Sequence, residues 1–141
     1  MTPDPYDSWV AKKDNPLYAI TEAQYQRTVT SLATATGWTW WHVSDSRRSV
    51  GGRVVGDASV SGLPDLLMVH PSRGVVFAEL KREDGKVRDS QQRAFDALVP
   101  AALCASLTGC KVRVHLWRPS DFDDVVRPLL STGKGPITHG L

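Results

Sequence analysis

The sequence predicts a single α/β domain with a central mixed β-sheet of about four strands flanked by helices. Three observations favour this class. The chain has 141 residues, a length that suits one compact domain. Hydrophobic residues make up 41% and charged residues 23%, which is an ordinary globular composition. The predicted elements follow the order helix, strand, hairpin, helix, strand, helix, and helices packed on a sheet bury such elements naturally.

Charge and hydropathy exclude several classes of protein. The formal net charge is only +2, so any case for a nucleic-acid partner rests on where the charges lie. No apolar run approaches the ~20 residues that span a bilayer, and the N-terminus lacks the regions of a secretory signal. We therefore expect a cytoplasmic protein that does not insert into a membrane.

The first third of the chain predicts an arm, a helix, a strand and a loop. Residues 1–20 contain three prolines and suggest an irregular arm. A Thr-Glu-Ala-Gln capping box at 21–24 begins a helix over about 22–36. An aromatic strand follows at 38–43, and 44–62 is expected to be a long polar loop that is either functional or disordered.

The remainder predicts a hairpin and then a helix, a strand and a short helix. Strands at 66–70 and 75–81 form the hairpin, and Asp89 is expected to cap a helix that runs to about 107. Pro100 is expected to kink or split that helix. A strand with alternating valines follows, then a short helix from Ser120, and 131–141 is expected to be a loose, flexible tail.

The strand at 75–81 carries two charges on a face that should be apolar. Val75, Phe77, Glu79 and Lys81 alternate onto one face of the strand. A carboxylate and an ammonium on a buried face are costly unless something binds them. An exposed edge-strand pair is the alternative, and Val75 and Phe77 argue against it.

Asp65 begins the partner strand, and the hairpin register decides where it faces. If His70 pairs with Val75, position 65 pairs with 80 and Asp65 faces away from Glu79. A shift of one residue, as a bulge at Gly74 would give, pairs 65 with 79 and places both carboxylates on one face. Asp65 beside Pro64 can also lie ahead of the regular ladder. By either route we expect the two carboxylates to converge.

Converging carboxylates with a nearby lysine suit phosphodiester hydrolysis. Oxygen ligands select a hard cation such as Mg²⁺ or Mn²⁺, to which the backbone carbonyl of Leu80 could add a ligand. Such a cation polarises a phosphate, and Lys81 could orient the attacking water or stabilise the developing charge.

These residues make the chain resemble the VRR-NUC branch of the PD-(D/E)xK nuclease superfamily, of the small stand-alone type found in phages and bacteria. The likeness runs over about 21–130, and its motifs are Gly62-Leu63-Pro64-Asp65, Glu79-Leu80-Lys81, Glu22, Gly37-Trp38, Ser46-Arg47-Arg48-Ser49 and a downstream glutamine. The resemblance implies a restriction-endonuclease-like fold for this range as the nuclease domain.

The resemblance also implies roles for the site residues. It implies that Asp65 and Glu79 bind metal, that Glu22 assists directly or through water, and that Lys81 is the catalytic lysine. A supporting glutamine is implied as well. Gln91 and Gln92 both fit, and we prefer Gln91. Taken alone, Glu22 in a first helical turn has a simpler role in stabilising the helix dipole.

Basic residues outside this centre are candidates for DNA contact. Arg47, Arg48 and Arg53 lie in the glycine-rich loop and suit a phosphate clamp, and a solvated loop is the alternative. Lys86 could extend this surface. His42 is either a phosphate contact or an ordinary strand histidine.

The function expected from all this is Mg²⁺- or Mn²⁺-dependent endonucleolytic cleavage of DNA. The resemblance favours a structure-specific enzyme such as a Holliday-junction resolvase, and two-fold substrates favour a homodimer. If the chain is phage-encoded, it would act in the bacterial host cytoplasm. No organic cofactor is expected. The alternatives are a restriction-like nuclease on linear duplex and a non-catalytic DNA-binding or assembly protein. A small-molecule metal hydrolase is disfavoured by the basic loop.

Overall fold

The computed structural model describes residues 14–43, 48–50, 53–55 and 62–141. Its helices are α1 (Glu22–Ala35), α2 (Asp89–Ser106) and α3 (Arg127–Thr132). Its strands are β1 (Thr39–His42), β2 (Arg48–Val50), β3 (Arg53–Val55), β4 (Leu66–His70), β5 (Gly74–Leu80), β6 (Val112–Trp117) and β7 (Thr138–His139). Within the described ranges, no helix is both long and apolar enough to cross a lipid bilayer.

The main sheet is mixed, as predicted, and has five strands in the order β1-β4-β5-β6-β7. The β1–β4 and β4–β5 pairs are antiparallel, whereas β5–β6 and β6–β7 are parallel. The sequence predicts about four strands, and the additional strand is β7. The expectation of a loose tail over 131–141 is therefore wrong for the residues of β7. His139 holds β7 in place, since its Nε2 lies 2.9 Å from Oδ1 of Asp121.

Helix α1 covers one face of the sheet and begins as predicted. Thr21 accepts from the Gln24 amide while the Gln24 side chain accepts from the Thr21 amide, which completes the capping box. The buried core on this side joins α1, the sheet and the C-terminal helical segment, and it includes Tyr25, Val29, Ala33, Leu66, Met68, Val76, Ala78, Leu80, Trp117, Leu129 and Leu130.

Helix α2 covers the opposite face over β5 and β6. Phe95 and Ala102 pack with Val114 and Leu116 in a second core, which Phe77 joins. The helix continues through Pro100, so the expected split does not occur. The expected cap is also wrong by one residue: Arg88 is the N-cap and Asp89 is the first helical residue. The cap interaction comes from Gln91, whose Oε1 accepts from the Arg88 amide at 2.9 Å.

The stretch 44–62 is not a continuous loop. Strands β2 and β3 pair antiparallel within it, with Val50 opposite Arg53 and Arg48 opposite Val55. The two residues between the strands are Gly51-Gly52, a pair typical of a two-residue hairpin connection. The glycine pair is therefore a hairpin signal, and the interpretation of this whole stretch as loop is wrong.

The two ends of the domain pack against the sheet through short helical turns. The described part of the N-terminal arm includes a 3₁₀ turn over Pro16–Ala19, after which Ile20 packs on the core. Residues 1–13 of the arm lie outside the described residues. The short helix expected from Ser120 is composite: a 3₁₀ turn at Pro119–Asp121, a π-helical turn at Phe122–Val126 and then α3.

Candidate active site

The hairpin register brings Asp65 and Glu79 face to face. His70 pairs with Gly74 and Leu66 with Ala78, so the position before β4 lies opposite Glu79. Of the two registers that the sequence allows, this is the one shifted by one residue. Gly74 permits it because its φ is +93°, a left-handed conformation in which glycine is favoured.

Backbone amides lock the two carboxylates together. The Asp65 amide donates to Oε2 of Glu79 at 3.1 Å, and the Leu80 amide donates to Oδ2 of Asp65 at 2.9 Å. Each acidic side chain therefore accepts from the backbone beside the other. This reciprocal pairing fixes the orientation of both carboxylates at the point where β4 begins and β5 ends.

Glu79 and Lys81 are both buried. Their exposed fractions are 1% and 7%, and Lys81 Nζ lies 3.7 Å from Oε1 of Glu79. Burying two charges costs several kcal/mol per ion, and well-packed apolar residues of similar volume are often at least as stabilising. The pair is therefore poorly explained by stability alone.

Gln91 completes the cluster from the first turn of α2. Its Nε2 donates to Oε1 of Glu79 at 2.7 Å, and its own Oε1 accepts from the Arg88 amide. Both ends of the amide are thus used, which fixes its orientation. Gln92 is exposed and donates instead to Asp96. Of the two candidate glutamines, the structure brings only Gln91 to the carboxylates.

Electrostatics favour the protonated form of Glu79. Burial and the nearby Asp65 carboxylate raise the pKa of Glu79 to about 8, although Lys81 acts in the opposite direction. Two carboxylates held this close repel each other when both are charged, and a proton or a cation between them relieves that repulsion.

Gly62 lets the loop before Asp65 approach α2 closely. A Cβ on Gly62 would lie 2.2 Å from the Ser90 carbonyl oxygen and 2.9 Å from the Gln91 nitrogen, and the φ of Gly62 is +85°. A side chain at position 62 would therefore push the loop away from the helix that carries Gln91. The sequence motif around Gly62 thus has a steric cause.

Arg118 is a supporting residue that the sequence motifs do not reveal. Its Nη1 donates to the carbonyls of Arg82 and Gly85 at 2.8 and 2.7 Å, which fastens the loop that follows Lys81. Its own carbonyl accepts from the Tyr25 hydroxyl at 2.7 Å, so α1 braces the same loop. These contacts join residues far apart in sequence, and local patterns give no signal for them.

Glu22 does not join the acidic pair. It is exposed in the first turn of α1. Among the described residues, no group of three or more His, Cys, Asp or Glu side chains is arranged to hold a metal ion. The expectation of direct ligation by Glu22 is therefore not supported, and its position suits interaction with the helix dipole. Assistance of Glu22 to the metal through a bound water stays a prediction.

The candidate DNA contacts come from several parts of the sequence. Arg47 lies outside the described residues, and Arg48 and Arg53 belong to the paired strands β2 and β3. Lys86 is exposed in the loop between Lys81 and α2. His42 is exposed at the end of β1 opposite Leu66, so it shares the α1 face of the sheet and not the face of Asp65.

The donor set fits a hard divalent cation. Asp65 and Glu79 offer carboxylate oxygens. The Leu80 amide points towards Asp65, and in an extended strand the carbonyl of a residue leaves from the same edge as its amide. Mg²⁺ usually binds through one or two carboxylates and keeps several waters, so two protein carboxylates suffice. A structural zinc site needs four nitrogen or sulfur ligands, which these oxygens do not provide.

Comparison with solved structures finds a likeness to a known domain. No protein-family model and no curated protein matches the chain. A solved structure described as a VRR_NUC domain is 22% identical, with a TM-score of 0.45 over 79% of this chain and 95% of that one. The chain is similar to that domain over most of both lengths.

Proposed function

We propose that the protein is a metal-dependent endonuclease that hydrolyses phosphodiester bonds in DNA. The observation that carries this proposal is the buried Glu79. It faces Asp65 and has both Gln91 Nε2 and Lys81 Nζ on its Oε1 side. A buried cluster of ionisable groups is costly for folding and suits a site that binds a cation and a phosphate.

The metal would be Mg²⁺ or Mn²⁺, held by Asp65, Glu79 and the Leu80 carbonyl. When bound, it supplies Lewis-acid charge that makes the phosphorus of the substrate more electrophilic. In the hydrolysis, water adds to phosphorus and one P–O ester bond breaks, which leaves a phosphate monoester and a free hydroxyl.

The chain's own residues would do three things in this reaction. Lys81 would orient the attacking water or stabilise the negative charge that develops on the phosphate oxygens. Gln91 would hold the Glu79 carboxylate in one orientation, because its amide is itself fixed by the Arg88 amide. Arg118 would hold the loop beyond Lys81 and so limit the movement of that lysine.

The finer proposal is a structure-specific nuclease on branched DNA such as a Holliday junction, acting as a homodimer. The sequence resemblance favours this substrate, and a two-fold dimer presents two cleavage sites to a two-fold junction. The basic residues at 47, 48, 53 and 86 would contact the phosphate backbone and carry little base specificity.

A cleavage assay tests the proposal. Wild-type protein and Lys81→Ala are incubated with Mg²⁺ or Mn²⁺ and labelled junction, flap, single-stranded or linear duplex DNA. We expect metal-dependent cutting of the junction by wild type and a loss of at least about 100-fold in Lys81→Ala. Cutting of every substrate would keep the chemistry and remove the junction preference. No cutting with DNA binding retained would favour a non-catalytic DNA-binding protein.

A further inference from the structure

Trp41 is the most exposed of the tryptophans on the sheet. Its exposed fraction is 52%, whereas Trp38 and Trp117 are buried in the core and Trp40 is half-buried. An indole left in water at the centre of a strand forgoes burial worth a few kcal/mol. Tryptophan combines a large apolar ring with a polar N–H, and it is enriched at binding interfaces.

The ladder places Trp41 on the face of the acidic pair. Trp41 pairs with Leu67, and Leu67 pairs with Phe77, so these three side chains point to the same side of the sheet. Asp65 precedes Leu67 by two residues and shares that side. Asp65 and Trp41 are therefore diagonal neighbours on adjacent strands, which are typically about 7–8 Å apart.

The sheet around Trp41 is more open on this side than on the other. On β4, Leu67 and Val69 face the same side as Trp41 and are only partly buried. Leu66 and Met68 face α1 and are fully buried. Trp41 thus shares an incompletely covered face of the sheet with Leu67 and Asp65. The β1–β4 ladder continues to Asp65, since the Val43 amide donates to the Asp65 carbonyl at 2.7 Å.

We infer that Trp41 stacks on an unpaired nucleobase of the substrate, next to the phosphate that a cation at Asp65 and Glu79 would bind. This inference rests on the proposed function and names its substrate class: branched DNA in which a nucleotide beside the scissile bond is unstacked and unpaired, as at an open branch point or a flap. A base inside an intact duplex has both faces occupied by its neighbours, whereas an unstacked base is free to lie on an aromatic ring. Trp41 therefore selects DNA whose pairing is interrupted at the site.

The test compares the affinity of the full-length protein for two fluorescent DNAs by anisotropy in EDTA. One is a fully paired duplex, and the other has the same sequence with a three-nucleotide bulge. Wild type is compared with Trp41→Ala, Trp41→Phe and the matched control Leu107→Ala. Leu107 is 86% exposed just beyond the C-terminus of α2, about 24 Å along the helix from Gln91.

We expect wild type to prefer the bulged DNA and Trp41→Ala to lose about 5-fold to 150-fold in affinity for it, the range for one base–aromatic stack. Its affinity for paired DNA should stay unchanged. Trp41→Phe should keep most of the preference, and Leu107→Ala all of it. Equal weakening on both DNAs, no preference in wild type, or a change from dimer to monomer in Trp41→Ala would each overturn the inference.

Because the binding assay is run in EDTA, its result does not depend on metal-dependent cleavage. A Trp41-dependent preference in a protein that cuts nothing with Mg²⁺ would overturn the nuclease proposal and keep the stacking role. Metal-dependent cutting without any such preference would do the reverse.

Discussion

The Nε2 of Gln91 donates a 2.7 Å hydrogen bond to Oε1 of Glu79, and it joins the first turn of α2 to the end of β5. Because the same side chain accepts from the Arg88 amide, one residue both caps the helix and orients the carboxylate. The position of the candidate metal ligand is thereby coupled to the start of α2.

This coupling predicts different effects for two adjacent glutamines. Gln91→Ala should lower metal affinity and cleavage rate by about 10-fold to 100-fold, as removal of a partner behind a metal ligand usually does. It should also lower the free energy of unfolding by about 1 kcal/mol through loss of the cap. Gln92→Ala removes only an exposed bond to Asp96 and should leave the cleavage rate unchanged. Equal effects in the two variants would contradict the assignment.

The raised pKa of Glu79 predicts how stability depends on pH in metal-free protein. Its folded pKa of about 8 lies above the ordinary value of 4.5, so the folded state binds more protons than the unfolded state between these limits. Stability from this group is fully present at low pH and is lost as pH rises towards 8, by up to about 1.4 kcal/mol per pH unit.

Urea denaturation in EDTA checks this pH dependence. Wild type should lose stability between about pH 6.5 and pH 8 relative to Glu79→Gln, which lacks the titrating group. Asp124→Asn, which changes an exposed carboxylate, should keep the wild-type slope. Below about pH 6.5 the buried His115 acts oppositely, because burial lowers its pKa to about 4 and stability is lost as pH falls. Parallel curves for wild type and Glu79→Gln would contradict the raised pKa.

Two glycines with similar backbone angles should differ in the stability that is lost when each is replaced by alanine. Gly62 and Gly109 have φ values of +85° and +80°. A Cβ at position 62 would collide with the Ser90 carbonyl, whereas at position 109 nothing in the described part of the chain lies within 4 Å. Gly109→Ala should cost about 1–2 kcal/mol of stability from backbone strain alone. Gly62→Ala should cost more and also lower the cleavage rate. Equal unfolding free energies would show that the close approach is unimportant.

The basic residues predict the salt dependence of DNA binding. If Arg47 and Arg48 contact phosphates, the double substitution Arg47→Ala/Arg48→Ala should weaken binding to all DNAs. It should reduce the slope of log affinity against log salt by about 1 for each phosphate that the protein no longer neutralises. The slope is measured by anisotropy over a range of salt concentrations. An unaltered slope would show that these two arginines do not contact phosphates of the DNA.

Much of the fold follows from local patterns. The capping box at Thr21 and the apolar spacing after it define α1, and the hairpin strands lie close to their predicted bounds. The convergence of Asp65 with Glu79 depends on a shift of one residue that the strand sequences leave open. The register shows that shift, with the left-handed Gly74 at the end of the turn.

The parts that local patterns do not predict depend on tertiary contacts. Strand β7 has two residues, and its pairing with β6 is accompanied by the contact between His139 and Asp121. The choice between Gln91 and Gln92 needs the packing of α2 against β5, because both glutamines fit the sequence motif. Arg118 fastens a loop more than thirty residues away, and no periodicity marks such a contact.

The central claim is that Asp65 and Glu79 together form a divalent metal site. Calorimetric titration of Mn²⁺ into wild type and Asp65→Ala at pH 8 tests it most directly, with Asp124→Asn as the control for loss of one carboxylate. We expect binding to wild type and to Asp124→Asn, and loss of binding in Asp65→Ala. Binding to wild type should release about half a proton per cation, because Glu79 with a pKa of about 8 is half-protonated at pH 8. Unchanged Mn²⁺ affinity in Asp65→Ala would contradict the claim.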